Sequence, residues 1–255
     1  MGAVLETLPI TILAAAIAVT MFGGFVKGAV GFALPLIMMS GLAAILPPEV
    51  ALAGLIIPAM VANMWQAFRQ GLGGAVESVK RHWPFIGIVL VCMAISAQLV
   101  LSLPQWLFFT VIGVPISLYS ALQLLGWQLR VPTERRRLAV WLFGGLAGVF
   151  GGFSAIFGPP TVAYLISLDT EKSEQVRVQG MVYFLGNVLL FGSHLRSGVL
   201  NADTIPFSLM MVVPAMLGMW IGFQVQDRMD RATFLKATLV VLLLAGLNLV
   251  RRGVM

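Results

Sequence analysis

The chain has 255 residues, of which 59% are hydrophobic and only 10% charged, with a mean hydropathy of +0.97. Water-soluble domains carry about 25% charged residues, so this composition excludes a soluble enzyme or binding module and predicts an all-α polytopic integral membrane protein. The net charge of +6 would point to nucleic acid in a soluble protein. Here most Lys and Arg lie in short polar breaks between apolar segments, where they report membrane orientation. The expected surroundings are a lipid bilayer, with no nucleic-acid partner.

The N-terminus, MGAVLETLPI, lacks the basic stretch of a cleaved leader, so the first apolar run is expected to be a retained helix. That run extends over 8–46 and ends at Pro47-Pro48-Glu49. Apolar segments follow at 49–68, 83–103 and 105–127, the first two separated by the polar loop 69–81. The stretch 128–137 carries four arginines and sits at mid-chain. After it come 138–168, an acidic loop at 169–175, then 178–195, 204–225 and 232–250, closing on Arg251-Arg252. Cys92 is the single cysteine, and His82 and His194 are far apart, so no disulfide framework, metal or cofactor is expected.

The basic break divides two copies of one unit. Phe22-GGFVKGAVG-Phe32 aligns without gaps on Phe143-GGLAGVFGG-Phe153, Asn63 on Asn187, and Pro84-Phe85 on Pro206-Phe207, in order and at near-constant offset. The expected organisation is a first repeat at 1–127, a basic cytoplasmic linker at 128–137 and a second repeat at 138–255. Such duplication is common in transporters, with substrate bound between the repeats. Two crossing numbers fit. With four helices per repeat, a Gly-rich element in each is broken or re-entrant, and 69–81, 128–137 and Arg251-Arg252 share one side opposite the acidic loop. That gives eight crossings with both termini cytoplasmic, and the charge count favours it. If each Gly-rich element adds a crossing, there are ten and the repeats are inverted.

Lys27 is embedded in the first apolar run. A charge at the centre of a membrane helix costs about 2.5–3.5 kcal/mol on insertion scales, so it tends to mark a binding site or pathway. Gly23, Lys27 and Gly31 recur every fourth residue, as do Gly144, Gly148 and Gly152, which puts each set on one helix face. Glycine at this spacing serves close helix packing, and beside a lysine it also leaves room and exposed backbone for a small anion. None of the ten acidic residues lies deep in an apolar segment, so the substrate expected is an anion. Lys27 would supply the charge, and Gly23, Gly24, Gly28 and Gly31 room and backbone donors. Half-helix N-termini after Pro35 and at Gly158-Pro159-Pro160 would add dipolar attraction. Neutral hydrogen bonds would come from two polar stripes: Asn63, Gln66 and Gln70 in the first half, and Gln179, Tyr183, Asn187 and His194 in the second. Gly148, Gly151 and Gly152 would form a facing wall, with Ser154 beside it. No Walker lysine loop, Gly-x-Ser-x-Gly, HExxH or intramembrane acid pair is present, so an enzyme is not expected.

On Phe22-GGFVKGAVGF-Ala33, followed by Pro47 and Ala51, and on Gly144-GLAGVFGGF-Ser154, the chain resembles the TauE/SafE family of sulfite exporters and sulfonate permeases. The resemblance runs through nearly the whole chain, including Pro84 and Pro206. It implies a transporter of the bacterial inner membrane that moves sulfite, sulfonates or related small organic anions. One departure stands out: the family's second half often continues in glycine where this chain has Ser154-Ala155-Ile156. The alternatives are an uncoupled, channel-like facilitator and, from another class, a membrane-embedded assembly subunit whose Lys27 pairs with a partner's carboxylate. A homo-oligomer is compatible with either.

Overall fold

The structure, a computed structural model, describes residues 8–96, 105–127, 130–154, 157–196 and 198–254. The helices are α1 (Ile10–Val30), α2 (Leu34–Leu42), α3 (Pro48–Phe68), α4 (Gly71–Ser96), α5 (Gln105–Leu124), α6 (Arg136–Ser154), α7 (Gly158–Ser167), α8 (Lys172–Arg196), α9 (Ile205–Arg228) and α10 (Arg231–Val254), with one 3-10 turn at Thr133–Arg135. No strand occurs among the described residues. Either side of the 125–135 connection, the order is a long helix, a short one, then three long ones. Five helices among the described residues are long and apolar enough to cross a membrane: α1, α3 from Glu49, α4, α9 and α10. Their outer faces carry large apolar side chains that water would not tolerate in such density, among them Ile10, Trp83, Val213 and Leu244, each more than half exposed.

The chain divides into two compact units, and these are not the two sequence halves. Unit 1 comprises 1–66 and 187–229; unit 2 comprises 67–186 and 230–255. Each unit therefore takes helices from both halves.

Unit 1 is organised by the crossing of α1 on α9. A Cβ on Gly24 would overlap the Ala215 carbonyl oxygen, and one on Gly28 the Met219 oxygen. Reciprocally, Gly218 lies against Met21 O and Gly222 against Phe25 O. Gly24-xxx-Gly28 thus meets Gly218-xxx-Gly222, the two helices running parallel at backbone contact, as small residues permit in lipid. The remaining core joins α2, α3 and α9 through Leu34, Met38 and Leu42, Leu55 and Ala59, and Phe207, Met211 and Phe223 respectively. The short α2 folds back along α1, since Gly23 touches Leu34 and Ile37 while Gly41 touches Val19. The long 8–46 stretch is therefore two antiparallel helices.

Unit 2 repeats this construction with α6 on α4. Gly144 lies against Ile88 and Phe85, and Gly148 against Val89 O and Cys92. Ser96 Oγ donates to Gly148 O at 3.3 Å. A second crossing, antiparallel, brings Gly113 of α5 to Gly246 O and Val250 of α10. Within α4 the backbone leaves helical geometry at His82 (φ −108°, ψ 15°). Pro84, two residues on, lacks an N–H and crowds the preceding turn, which accounts for the kink.

Unit 2 also corrects the topology favoured by charge counting. Val131 N donates to Ser167 O at 2.8 Å, so α7 returns to the level at which α6 begins, and 138–168 is not a single crossing. The acidic loop lies against both basic segments: Arg81 reaches Glu174 at 3.0 Å and Arg130 reaches Asp169 at 3.4 Å. Loops on opposite sides of roughly 30 Å of hydrocarbon could not do this. Arg231 at the start of α10 also holds Asp169, at 2.6 Å. The 24 residues of α10 span about 36 Å, which carries Arg251-Arg252 to the end opposite 69–81 and 128–137. The expectation that these three basic segments share a side fails because Gly158-Pro159-Pro160 starts a separate returning helix.

The glycine crossings predict unequal tolerance of alanine. Gly24→Ala and Gly218→Ala are expected to lower the melting temperature, each by overpacking worth about 1–3 kcal/mol. Gly145→Ala, where a Cβ meets nothing within 4 Å, is expected to leave it unchanged. Thermal unfolding of the three variants in detergent checks this.

Candidate functional site

The site residues anticipated from sequence divide between the units. Unit 1 holds Lys27, Gly23, Gly24, Gly28, Gly31, Asn63, Gln66, Asn187 and His194; unit 2 holds Gly148, Gly151, Gly152, Ser154 and Tyr183. The side chains of Ser154 and His194 lie outside the described residues.

In unit 1 the site is built around a break in the backbone. α1 ends at Val30 because Gly31 turns to φ +89°, its N–H closing on Lys27 O at 2.7 Å. Two residues later Ala33 takes φ +77°, a left-handed conformation that costs a residue with a Cβ of order 1–3 kcal/mol. Leu34 then starts α2, and no side chain caps that N-terminus. Phe32, Ala33 and Leu34 are all buried, so the turn is deep in the protein. A helix N-terminus carries partial positive charge and outward-pointing N–H groups. Lys27, one turn before Gly31, is 1% exposed and among the largest fully buried side chains. One ammonium and one uncapped half-helix N-terminus therefore lie along the same short stretch of chain.

Gln66 fixes this turn. Its Nε2 donates to Gly31 O at 2.9 Å, a buried bond that ties the end of α3 to the end of α1. On the other flank, Gln226 Nε2 of α9 reaches Ala29 O at 3.4 Å. Since α2 runs back along α1, α3 runs in α1's own direction. Asn63 lies one turn before Gln66 on α3. Asn63 is 2% exposed. Asn187 is half-buried.

The glycines serve differently from one another. Gly24 and Gly28 face the backbone of α9, and Gly23 faces Leu34 and Ile37, so the room that sequence reasoning assigned to a ligand there is filled by packed helices. Gly31 is the one of the four whose conformation makes the site. In unit 2, Gly148 faces α4, and Gly151 faces Met93 and Phe157. Tyr183 is buried and donates from its hydroxyl to Gly158 O at 3.2 Å, at the start of α7. This bond and the Gln66–Gly31 bond each fix the carbonyl beside a helix break.

Two features of unit 2 were not legible beforehand. His82, at the kink, and Arg81 both engage Glu174, at 3.2 and 3.0 Å; sequence reasoning put Arg81 and Glu174 in separate loops and gave His82 no partner. Gln175, at the start of α8, is 3% exposed, although it falls in what sequence reasoning assigned to a polar loop. Its spacing of four from Gln179 was the available signal.

The part that Gln66 plays is testable by thermal unfolding in detergent. Gln66→Leu strands the buried Gly31 carbonyl and is expected to cost about 1–3 kcal/mol.

Comparison with known protein families matches residues 16–249 to the family described as Sulfite exporter TauE/SafE. No curated protein matches the chain, and no solved structure does. The family match covers both glycine motifs, the Lys27 break and all but the outermost turns of the described helices, and the chain belongs to the sulfite exporter TauE/SafE family.

Proposed function

We propose that this protein is a secondary transporter of small anions, with sulfite, organosulfonates or related sulfur oxyanions as substrates, in the bacterial inner membrane. The observation that carries the reading is the buried Lys27 ammonium one turn before an uncapped, buried half-helix N-terminus. Together these offer an oxyanion a fixed charge and backbone donors. Asn63, buried on α3, adds a neutral donor. The site lies between the two sequence repeats, in that α1 to α3 come from the first and α9 from the second.

The duplication supports an alternating-access mechanism. In unit 1 the first helix of one half packs on the fourth helix of the other (α1 on α9), and in unit 2 the same holds with the halves exchanged (α6 on α4). Five elements per half, an odd number, give repeats of inverted orientation. Under the positive-inside rule the basic 69–81 and 128–137 segments are cytoplasmic. The C-terminal end of α10 is then on the opposite side, and substrate crosses by exchange between two arrangements of the repeats.

Two outcomes are expected. Sulfite and isethionate raise the melting temperature of the detergent-purified protein by mass action on the native state, and Lys27→Met abolishes that rise while still folding. A panel with potassium gluconate as control reads this; equal shifts in the Lys27→Met protein sink the proposed site. For the topology, a fluorescent protein fused after α10 is expected to be dark and alkaline phosphatase at the same point active. The reverse pattern rules out the inverted arrangement.

A further inference from the structure

Unit 2 contains a polar feature that neither packing nor the Lys27 site uses. Gln179 of α8 is 0% exposed, and neither its Nε2 nor its Oε1 has a hydrogen-bond partner among the described residues. One turn earlier on the same face, Gln175 is 3% exposed and its Nε2 is likewise without a partner there. Buried amides are nearly always hydrogen-bonded, because stripping one of water without a substitute costs far more than the bond returns. A leucine of similar shape would fold at least as well at 179. The two amides therefore have a use other than holding the fold.

Their surroundings say what approaches them. Gln175 lines a cavity of about 30 Å³ together with Lys172, Arg231 and Asp169. The single carboxylate is held by Arg231 at 2.6 Å and by Arg130 at 3.4 Å, so cations outnumber it on this wall. The excess positive charge favours an anion at the Gln175 end. The amides then divide the chemistry. Gln175 needs only an acceptor for its N–H, which any oxyanion supplies. Gln179 needs an acceptor for Nε2 and also a donor for Oε1. A bare oxyanion offers no donor, whereas an oxyanion bearing a hydroxyl, an ammonium or an acidic hydrogen offers both.

We propose that Gln175 and Gln179 form a second ligand-binding step on α8, and that this step selects oxyanions which also carry a hydrogen-bond donor. The inference rests on the anion-transport reading and adds to it the residue that discriminates among substrates.

The test uses two sulfonates of equal charge and similar size, isethionate, which has a terminal hydroxyl, and 1-propanesulfonate, which has a methyl there. Dissociation constants are measured on the full chain in detergent by ligand-dependent melting. Wild type is expected to favour isethionate about tenfold. Gln179→Leu is expected to melt at or above the wild-type temperature and to bring the two ligands within twofold of each other. Gln175→Leu is expected to weaken both ligands by a similar factor. A marked fall in melting temperature for Gln179→Leu in the absence of ligand would show the amide to be structural and overturn the inference, as would an unchanged preference. If Lys27→Met releases both sulfonates while Gln179→Leu keeps the preference, only the second step is wrong. Wild type that binds neither sulfonate overturns the anion reading and this inference together.

Discussion

Helices surrounded by lipid gain nothing from burying apolar surface against one another, since hydrocarbon is as apolar as leucine. Their association depends on close contact. In unit 1 that contact is the crossing of Gly24 and Gly28 with Gly218 and Gly222, where each glycine lies on a carbonyl of the other helix. Everything at the Lys27 end of α1 depends on this approach. It fixes α1 beside α9, brings Gln226 to Ala29 O, and leaves the α1 terminus deep enough that Gly31, Ala33 and Leu34 turn within protein. A non-helical backbone at such depth is tolerated only where neighbours satisfy it. Gln66 does so for Gly31.

The glycine motif thus has two physical uses, and its residues divide between them along the helix. Gly24 and Gly28 make the crossing; Gly31, past the end of the contact, makes the break. A single run of sequence both anchors the helix and ends it one turn later. The second half uses the same pattern differently: Gly148 crosses α4 through Val89 and Cys92, and the helix runs on to Ser154 before stopping.

The membrane character and the embedded lysine were legible in the sequence because they are carried by composition and by one misplaced charge. The partition of the glycines was not. Residues 23, 24, 28 and 31 are equivalent to any sequence rule, and only the position of α9 separates packing glycines from the turning one. The acidic loop was misplaced for a related reason. Charge counting treats 138–168 as one apolar run and so moves 169–175 across the membrane. Gly158-Pro159-Pro160 is a helix start as readily as a kink within a helix, and the choice is made by tertiary contact, including Val131 to Ser167.

What separates structural from functional polar groups here is whether the fold itself satisfies them. Gln66, Gln226 and Tyr183 each reach a backbone carbonyl next to a helix end, and the bonds they make could be inferred from the need to close those ends. Gln179 is as deeply buried, but neither end of its amide reaches a partner among the described residues. If the interior also passes a charged solute, as proposed, the second kind cannot be removed by better packing without removing the path. The stability forgone at such positions is the same free energy that makes a polar ligand welcome there, because the amide loses nothing it had when the ligand arrives. A transporter of this construction is therefore expected to hold its helices together with glycine and backbone contact, leaving its few buried amides for the solute.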